Sequence, residues 1–99
     1  MGERFYFVPC TIKPGGFSSE RTFEVKNGCE GQLIGIASVE YLLDESRKPL
    51  ADDVPGYGQE INGFVKCLLI KSDKERGVAM VELPSDDVVR VSETSLVNA

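Results

Sequence analysis

Residues 64–83 read FVKCLLIKSDKERGVAMVEL, and this stretch decides the fold class. The run 64–71 is β-prone with a continuous apolar centre, which predicts a central strand buried on both faces. Residues 71–77 form a charged turn of hairpin length. Period-two spacing in 78–83 then puts on one face Ala79, Val81 and Leu83. The stretch therefore predicts an antiparallel β-hairpin.

The run 4–12 (RFYFVPCTI) is rich in aromatic and β-branched residues and predicts the first strand. Because neighbouring side chains in a strand point to opposite faces, we expect Phe5 and Phe7 to enter the core and Tyr6 to stay outside. An exposed Tyr6 with Arg4 nearby would suit stacking of single-stranded nucleic acid. One aromatic ring on an acidic chain argues weakly for that function.

Two further strands are predicted, one in the first third of the chain and one near its end. In 21–26 (RTFEVK), alternation puts Phe23 and Val25 on the buried face. At the other end, a short strand is predicted at 88–91. It is followed at 92–95 by a single helical or 3₁₀ turn that returns the chain to the core.

The middle of the chain is harder to assign. Asn27-Gly28 is typical of a tight hairpin turn and precedes the run 32–43 (QLIGIASVEYLL). We favour a strand through Leu43, because β-branched residues are frequent and a turn-like exit follows. A helix of about three turns is the alternative for residues 38–48, with Ser38 as its cap.

The pattern predicts a mainly β fold, in which residues 1–99 form a single domain. We expect a small antiparallel β-barrel or roll of five or six strands, with one long loop and a short helix as a variant. Two long loops, a tight charged hairpin and a one-turn bend before a terminal strand resemble the SH3-like barrel arrangement. That resemblance is architectural. The chain has no Trp and lacks the aromatic and acidic loop pattern by which SH3 domains hold Pro-rich peptides.

Composition excludes several function classes. The chain has no histidine, which removes Ser-His-Asp and Cys-His nucleophilic sites and the usual histidine-based metal sites. The formal charge of −5 argues against nucleic acid and anionic membranes. Three widely spaced cysteines without a CxxC pair fit a reducing, cytoplasmic setting. We therefore predict a soluble cytoplasmic protein that is not an enzyme and holds no cofactor or metal.

The candidate site is the acidic loop (residues 44–62, DESRKPLADDVPGYGQEIN), which contains five acidic residues. Loops of this length in small domains are often functional. We predict that it binds a protein partner or a second copy of the chain, through Asp52, Asp53, Tyr57, Gln59 and Glu60. We also expect residues 51–60 to be dispensable for folding.

Two alternatives belong to other classes. The loop carboxylates and Tyr57 would suit a small-molecule binder or minor enzyme if they converged in a cleft. Self-association through an unpaired edge strand is a variant of the interaction hypothesis.

Overall fold

In the computed structural model, the described residues are 4–26 and 33–98. Within them, the strands are β1 (Phe5–Pro14), β2 (Glu20–Val25), β3 (Leu33–Ser38), β4 (Leu42–Asp44), β5 (Ile61–Asp73), β6 (Val78–Glu82), β7 (Val88–Ser92) and β8 (Val97–Asn98). They form one sheet in the order β3-β2-β1-β5-β6-β7, with β4 beside β5 and β8 beside β1. The antiparallel sheet curls into a half-barrel of 6 strands, which confirms the predicted fold class.

The long strand β5 is the centre of the sheet. It pairs with β1 from Ile61 to Leu68, and with β6 from Leu68 to Asp73. The short strand β4 pairs with residues 63–65 of β5 on the side opposite β1. A side chain at Gly63 would collide there with the carbonyl oxygen of Leu43. Glycine is therefore required for β4 to approach β5 this closely.

The predicted hairpin is the β5–β6 pair, with a bulge between Leu69 and Lys71. The predicted buried face of β6 is also correct, since the side chains with almost no exposure are Ala79, Val81 and Leu83. The prediction that β5 is buried on both faces is wrong, because Ile70 is 49% exposed. A half-barrel has one inner face, so alternate residues of β5 point away from the core.

The core lies inside the half-barrel and includes both predicted β2 residues, Phe23 and Val25. In β1 the fully buried residues are Val8, Cys10 and Ile12. They place Tyr6 on the inner face, where it packs against the core, and leave Phe5 44% exposed. The expected orientation of the aromatic residues was therefore reversed, because adjacent aromatics give no polar contrast from which the phase can be read.

The described part of the run 32–43, residues 33–43, is neither one strand nor a long helix. β3 ends at Ser38, a single 3₁₀ turn spans Val39–Tyr41, and β4 follows. The turn shifts the inward phase by one residue, so that Leu42 is buried and Tyr41 is exposed. The predicted continuous strand through Leu43 is wrong for this reason.

The end of the chain follows the prediction more closely. A second 3₁₀ turn spans Glu93–Ser95, and Leu96 after it packs against the core. The predicted turn at Asn27-Gly28 lies outside the described residues.

Phe23 and Phe17 provide a matched test of the core. Phe23 is fully buried and Phe17 is 74% exposed. We expect Phe23→Ala to lower the free energy of unfolding by about 3–5 kcal/mol, because it leaves a cavity. Phe17→Ala should change it by no more than about 0.5 kcal/mol. Urea unfolding of the two variants measures both values, and equal losses would contradict the assigned core.

Candidate functional site

Four of the five predicted partner-binding residues lie on two successive turns of the acidic loop, and Glu60 follows the second turn. Asp52 and Asp53 belong to the first turn, which the hydrogen bond from Val54 N to Ala51 O closes at 3.1 Å. Tyr57 and Gln59 belong to the second turn, in which Gln59 N donates to Gly56 O at 2.9 Å. The segment is thus built from hydrogen-bonded turns rather than an extended strand.

Tyr57 occupies the corner of the second turn and is fully exposed. The next residue, Gly58, has a φ of 78°, a left-handed conformation that glycine adopts without strain. The side chain of Gln59 strengthens the turn, because its Oε1 accepts a hydrogen bond from Gly56 N at 2.9 Å. Gln59 therefore holds the turn from which Tyr57 projects.

A buried arginine that the sequence analysis missed anchors this segment. Arg21 lies on the inner face of β2 and is only 3% exposed. Its Nε donates to Val54 O at 2.9 Å, and its Nη2 donates to Asp52 O at 2.8 Å and Ala51 O at 3.4 Å. Its Nη1 donates to Ser18 O at 2.6 Å and Glu20 O at 2.8 Å.

The five acceptors match the five N–H groups of a guanidinium. Three belong to the acidic loop, one (Ser18) to the segment between β1 and β2, and one (Glu20) to the first residue of β2. Arg21 therefore joins two chain segments that are distant in sequence. The alternation that predicted Phe23 and Val25 as buried also points to Arg21, two residues before Phe23, and this signal was available in the sequence.

The contacts of Arg21 argue against the expectation that residues 51–60 are dispensable for folding. Deleting them would remove the acceptors at Ala51, Asp52 and Val54, which make three of the five hydrogen bonds of Arg21. Losing hydrogen bonds of a charged group is destabilising. Point substitutions at exposed positions are therefore the appropriate test of the loop.

The acidic side chains of the loop have different surroundings. Asp44 closes a turn, because its Oδ1 accepts hydrogen bonds from Ser46 N at 2.8 Å and Lys48 N at 2.9 Å. Glu60 lies 3.8 Å from Lys13 Nζ, an exposed ion pair of small energetic value. Asp52 and Asp53 are exposed. Two exposed carboxylates therefore lie on the turn that precedes the turn of Tyr57.

Other chemistry in the described residues is limited. Burial raises the pKa of the Cys10 thiol to about 12, although the charge of Lys26 opposes the shift. Burial likewise raises the pKa of Cys67 to about 11, opposed by a backbone hydrogen bond from Tyr6. Both thiols are therefore poor nucleophiles. Residues 4–26 and 33–98 contain no group of three or more His, Cys, Asp or Glu side chains arranged to hold a metal ion.

In residues 4–26 and 33–98, helical structure is confined to two 3₁₀ turns, and no helix there is long and apolar enough to cross a membrane.

Comparison of the chain with protein-family models, with curated proteins and with solved structures finds no match.

Arg21→Lys tests the anchor while keeping the positive charge. An ammonium group has three donors on a flexible stem and does not reproduce the five-donor fork. We expect a loss of about 1–3 kcal/mol in the free energy of unfolding, together with faster amide exchange in residues 51–54. The control is Arg76→Lys at an exposed site, with an expected change within about 0.5 kcal/mol. Equal stability of the two variants would contradict the anchor.

The buried thiols give a second prediction. We expect iodoacetamide to modify Cys10 and Cys67 at least about a hundredfold more slowly in the folded protein than in denaturant, as peptide mass spectrometry can measure. The folded state holds the neutral thiol. The contribution of the neutral Cys10 thiol to the free energy of unfolding is therefore complete below the ordinary pKa of 9.0. It is lost as the pH rises toward about 12. Rapid labelling of folded protein would show that the assigned burial is wrong.

Proposed function

We propose that this protein is a non-enzymatic interaction module whose acidic loop presents Tyr57 to a basic surface of a protein partner. The observation that supports the proposal is that a buried side chain, Arg21, holds the segment from which an exposed side chain, Tyr57, projects. Arg21 holds the first turn of the segment by its main chain, and Tyr57 is fully exposed on the second.

Anchoring supports binding because it reduces the entropy that a loop loses when it docks. A mobile loop must be ordered on binding, whereas a loop with fixed turns has already lost most of that freedom. Tyr supplies a large contact area with few rotatable bonds and is enriched among residues that dominate binding energy. The geometry around Arg21 and Gln59 therefore suits recognition by Tyr57.

The flanking charge indicates the chemistry of the partner. The carboxylates of Asp52 and Asp53 are exposed on the turn before Tyr57. The chain as a whole carries a formal charge of −5, which favours encounter with a positively charged surface. We infer a partner surface with Lys or Arg side chains around a recess that accepts an aromatic ring.

The two alternatives receive less support from the same geometry. A small-molecule site requires Tyr57 and the carboxylates to converge in a cleft, yet the Tyr57 ring is fully exposed. Nucleic-acid stacking was expected on an exposed Tyr6, but Tyr6 packs against the core. The SH3-like arrangement and a cytoplasmic location stay predictions. We take no peptide-binding role from the resemblance to SH3-like barrels.

The test compares Tyr57→Ala with Tyr41→Ala. Tyr41 is also exposed but lies outside the acidic loop. The wild-type protein and both variants are immobilised, and proteins retained from extracts of the source cells are quantified by mass spectrometry. We expect Tyr57→Ala to lose partners that Tyr41→Ala retains. Titration with a purified partner should show at least about tenfold weaker binding for Tyr57→Ala.

The charge is tested separately with the double substitution Asp52→Asn and Asp53→Asn. These changes preserve the main-chain carbonyl of Asp52 that Arg21 contacts. We expect slower association with the partner and a weaker dependence on salt. Retention of every partner by both the Tyr57 and the aspartate variants would show that the acidic loop is not the binding site.

A further inference from the structure

The outer face of β5, β6 and β7 carries a small cavity in which apolar and cationic side chains meet. Its volume is about 200 Å³. The side chains that line it are Lys71, Asp73, Arg76, Val78, Met80 and Arg90. Sites for drug-sized ligands usually measure about 300–1,000 Å³. The cavity therefore suits a smaller ligand.

The apolar floor of the cavity comes from β6. Val78 and Met80 alternate with the buried residues Ala79 and Val81, so their side chains point to the outer face of the sheet. Both are half-buried, which leaves part of each side chain open to a ligand. The polarisable sulfur of methionine makes favourable contacts with aromatic rings. A small apolar group, and a flat ring in particular, therefore fits on Val78 and Met80.

Two cations border this floor from different parts of the β5–β6 hairpin. Lys71 pairs directly with Met80, so the two side chains share the outer face. Arg76 belongs to the turn between the strands, where its backbone N donates to Asp73 Oδ1 at 3.3 Å and its Nε lies 3.7 Å from Asp73 Oδ2. The strand register and the turn thus bring Lys71 and Arg76 to the same cavity.

The positive charge of these two side chains is only partly neutralised within the protein. In the part of the chain that the structure describes, Lys71 takes part in no ion pair. The ion pair of Arg76 engages Nε, and the two terminal nitrogens of a guanidinium carry its remaining N–H donors. The chain as a whole has a formal charge of −5, so this cavity is locally opposite in sign. An anion is therefore the complementary ligand.

We propose that the cavity binds a small organic anion, with its phosphate or carboxylate group between Lys71 and Arg76 and its apolar part on Val78 and Met80. Both head groups accept charge-assisted hydrogen bonds from lysine and arginine. The apolar part distinguishes this ligand from a simple ion, because it removes the floor of the cavity from water. The site uses no residue of the acidic loop and is separate from the proposed protein-binding function.

Nuclear magnetic resonance titration of the wild-type protein at constant ionic strength tests the proposal with phenyl phosphate, phenylacetate, inorganic phosphate and benzyl alcohol. We expect at least one of the two aryl anions to bind with a Kd of about 1 mM or tighter and to shift the methyl resonances of Val78 and Met80. Inorganic phosphate lacks the apolar part and benzyl alcohol lacks the charge, so each should bind at least about tenfold more weakly. Inorganic phosphate that bound as tightly as the aryl anions would overturn the proposal, since it would indicate a general attraction of anions to surface cations.

Lys71→Gln and Lys74→Gln form a matched pair of variants. Each removes one positive charge from an exposed position of the same hairpin, but Lys74 does not line the cavity. We expect Lys71→Gln to weaken binding of the aryl anion by about tenfold or more, and Lys74→Gln by no more than about twofold. Both variants should keep the wild-type fold, which their amide spectra check. Equal effects of the two substitutions, or a wild-type protein that binds neither aryl anion, would contradict the assignment.

Discussion

The hydrogen bonds of the Arg21 guanidinium are the interaction on which the functional account depends. A buried cation is costly unless its hydrogen bonds are made, and here five main-chain carbonyls accept them. The acceptors are main-chain carbonyls rather than carboxylates. The side chains of Asp52 and Asp53 therefore do not pair with the Arg21 guanidinium. The same side chain therefore orders the acidic loop and leaves its negative charge exposed.

The curled sheet explains both the anchor and the open edge. Alternation along β2 places Arg21 on the inner face of the sheet, together with the core residues Phe23 and Val25. The carbonyl groups of the acidic loop contact Arg21 on this same face. A half-barrel does not close on itself, and within residues 4–26 and 33–98 β3 pairs with β2 on one side only.

Sequence predicted the parts of the fold where polar and apolar residues alternate clearly. Residues 78–83 and 21–25 have that contrast, and their buried faces were identified correctly. Adjacent aromatics at Phe5 and Tyr6 lack it. The 3₁₀ turn Val39–Tyr41 shifts the phase inside a run whose β-branched residues favoured one continuous strand. In the site, the glycines around Tyr57 favour an exposed turn, whereas the partners of Arg21 depend on contacts more than 30 residues apart.

Nuclear magnetic resonance of the arginine side chains tests the central claim most directly. The Nε–H of Arg21 should exchange slowly with solvent and show a coupling across its hydrogen bond to the carbonyl carbon of Val54, because that donor is buried and 2.9 Å from the acceptor oxygen. Exposed Arg76 should exchange rapidly. If the Nε–H of Arg21 exchanged as fast as that of Arg76 and showed no coupling to Val54, the acidic loop would not be anchored as described.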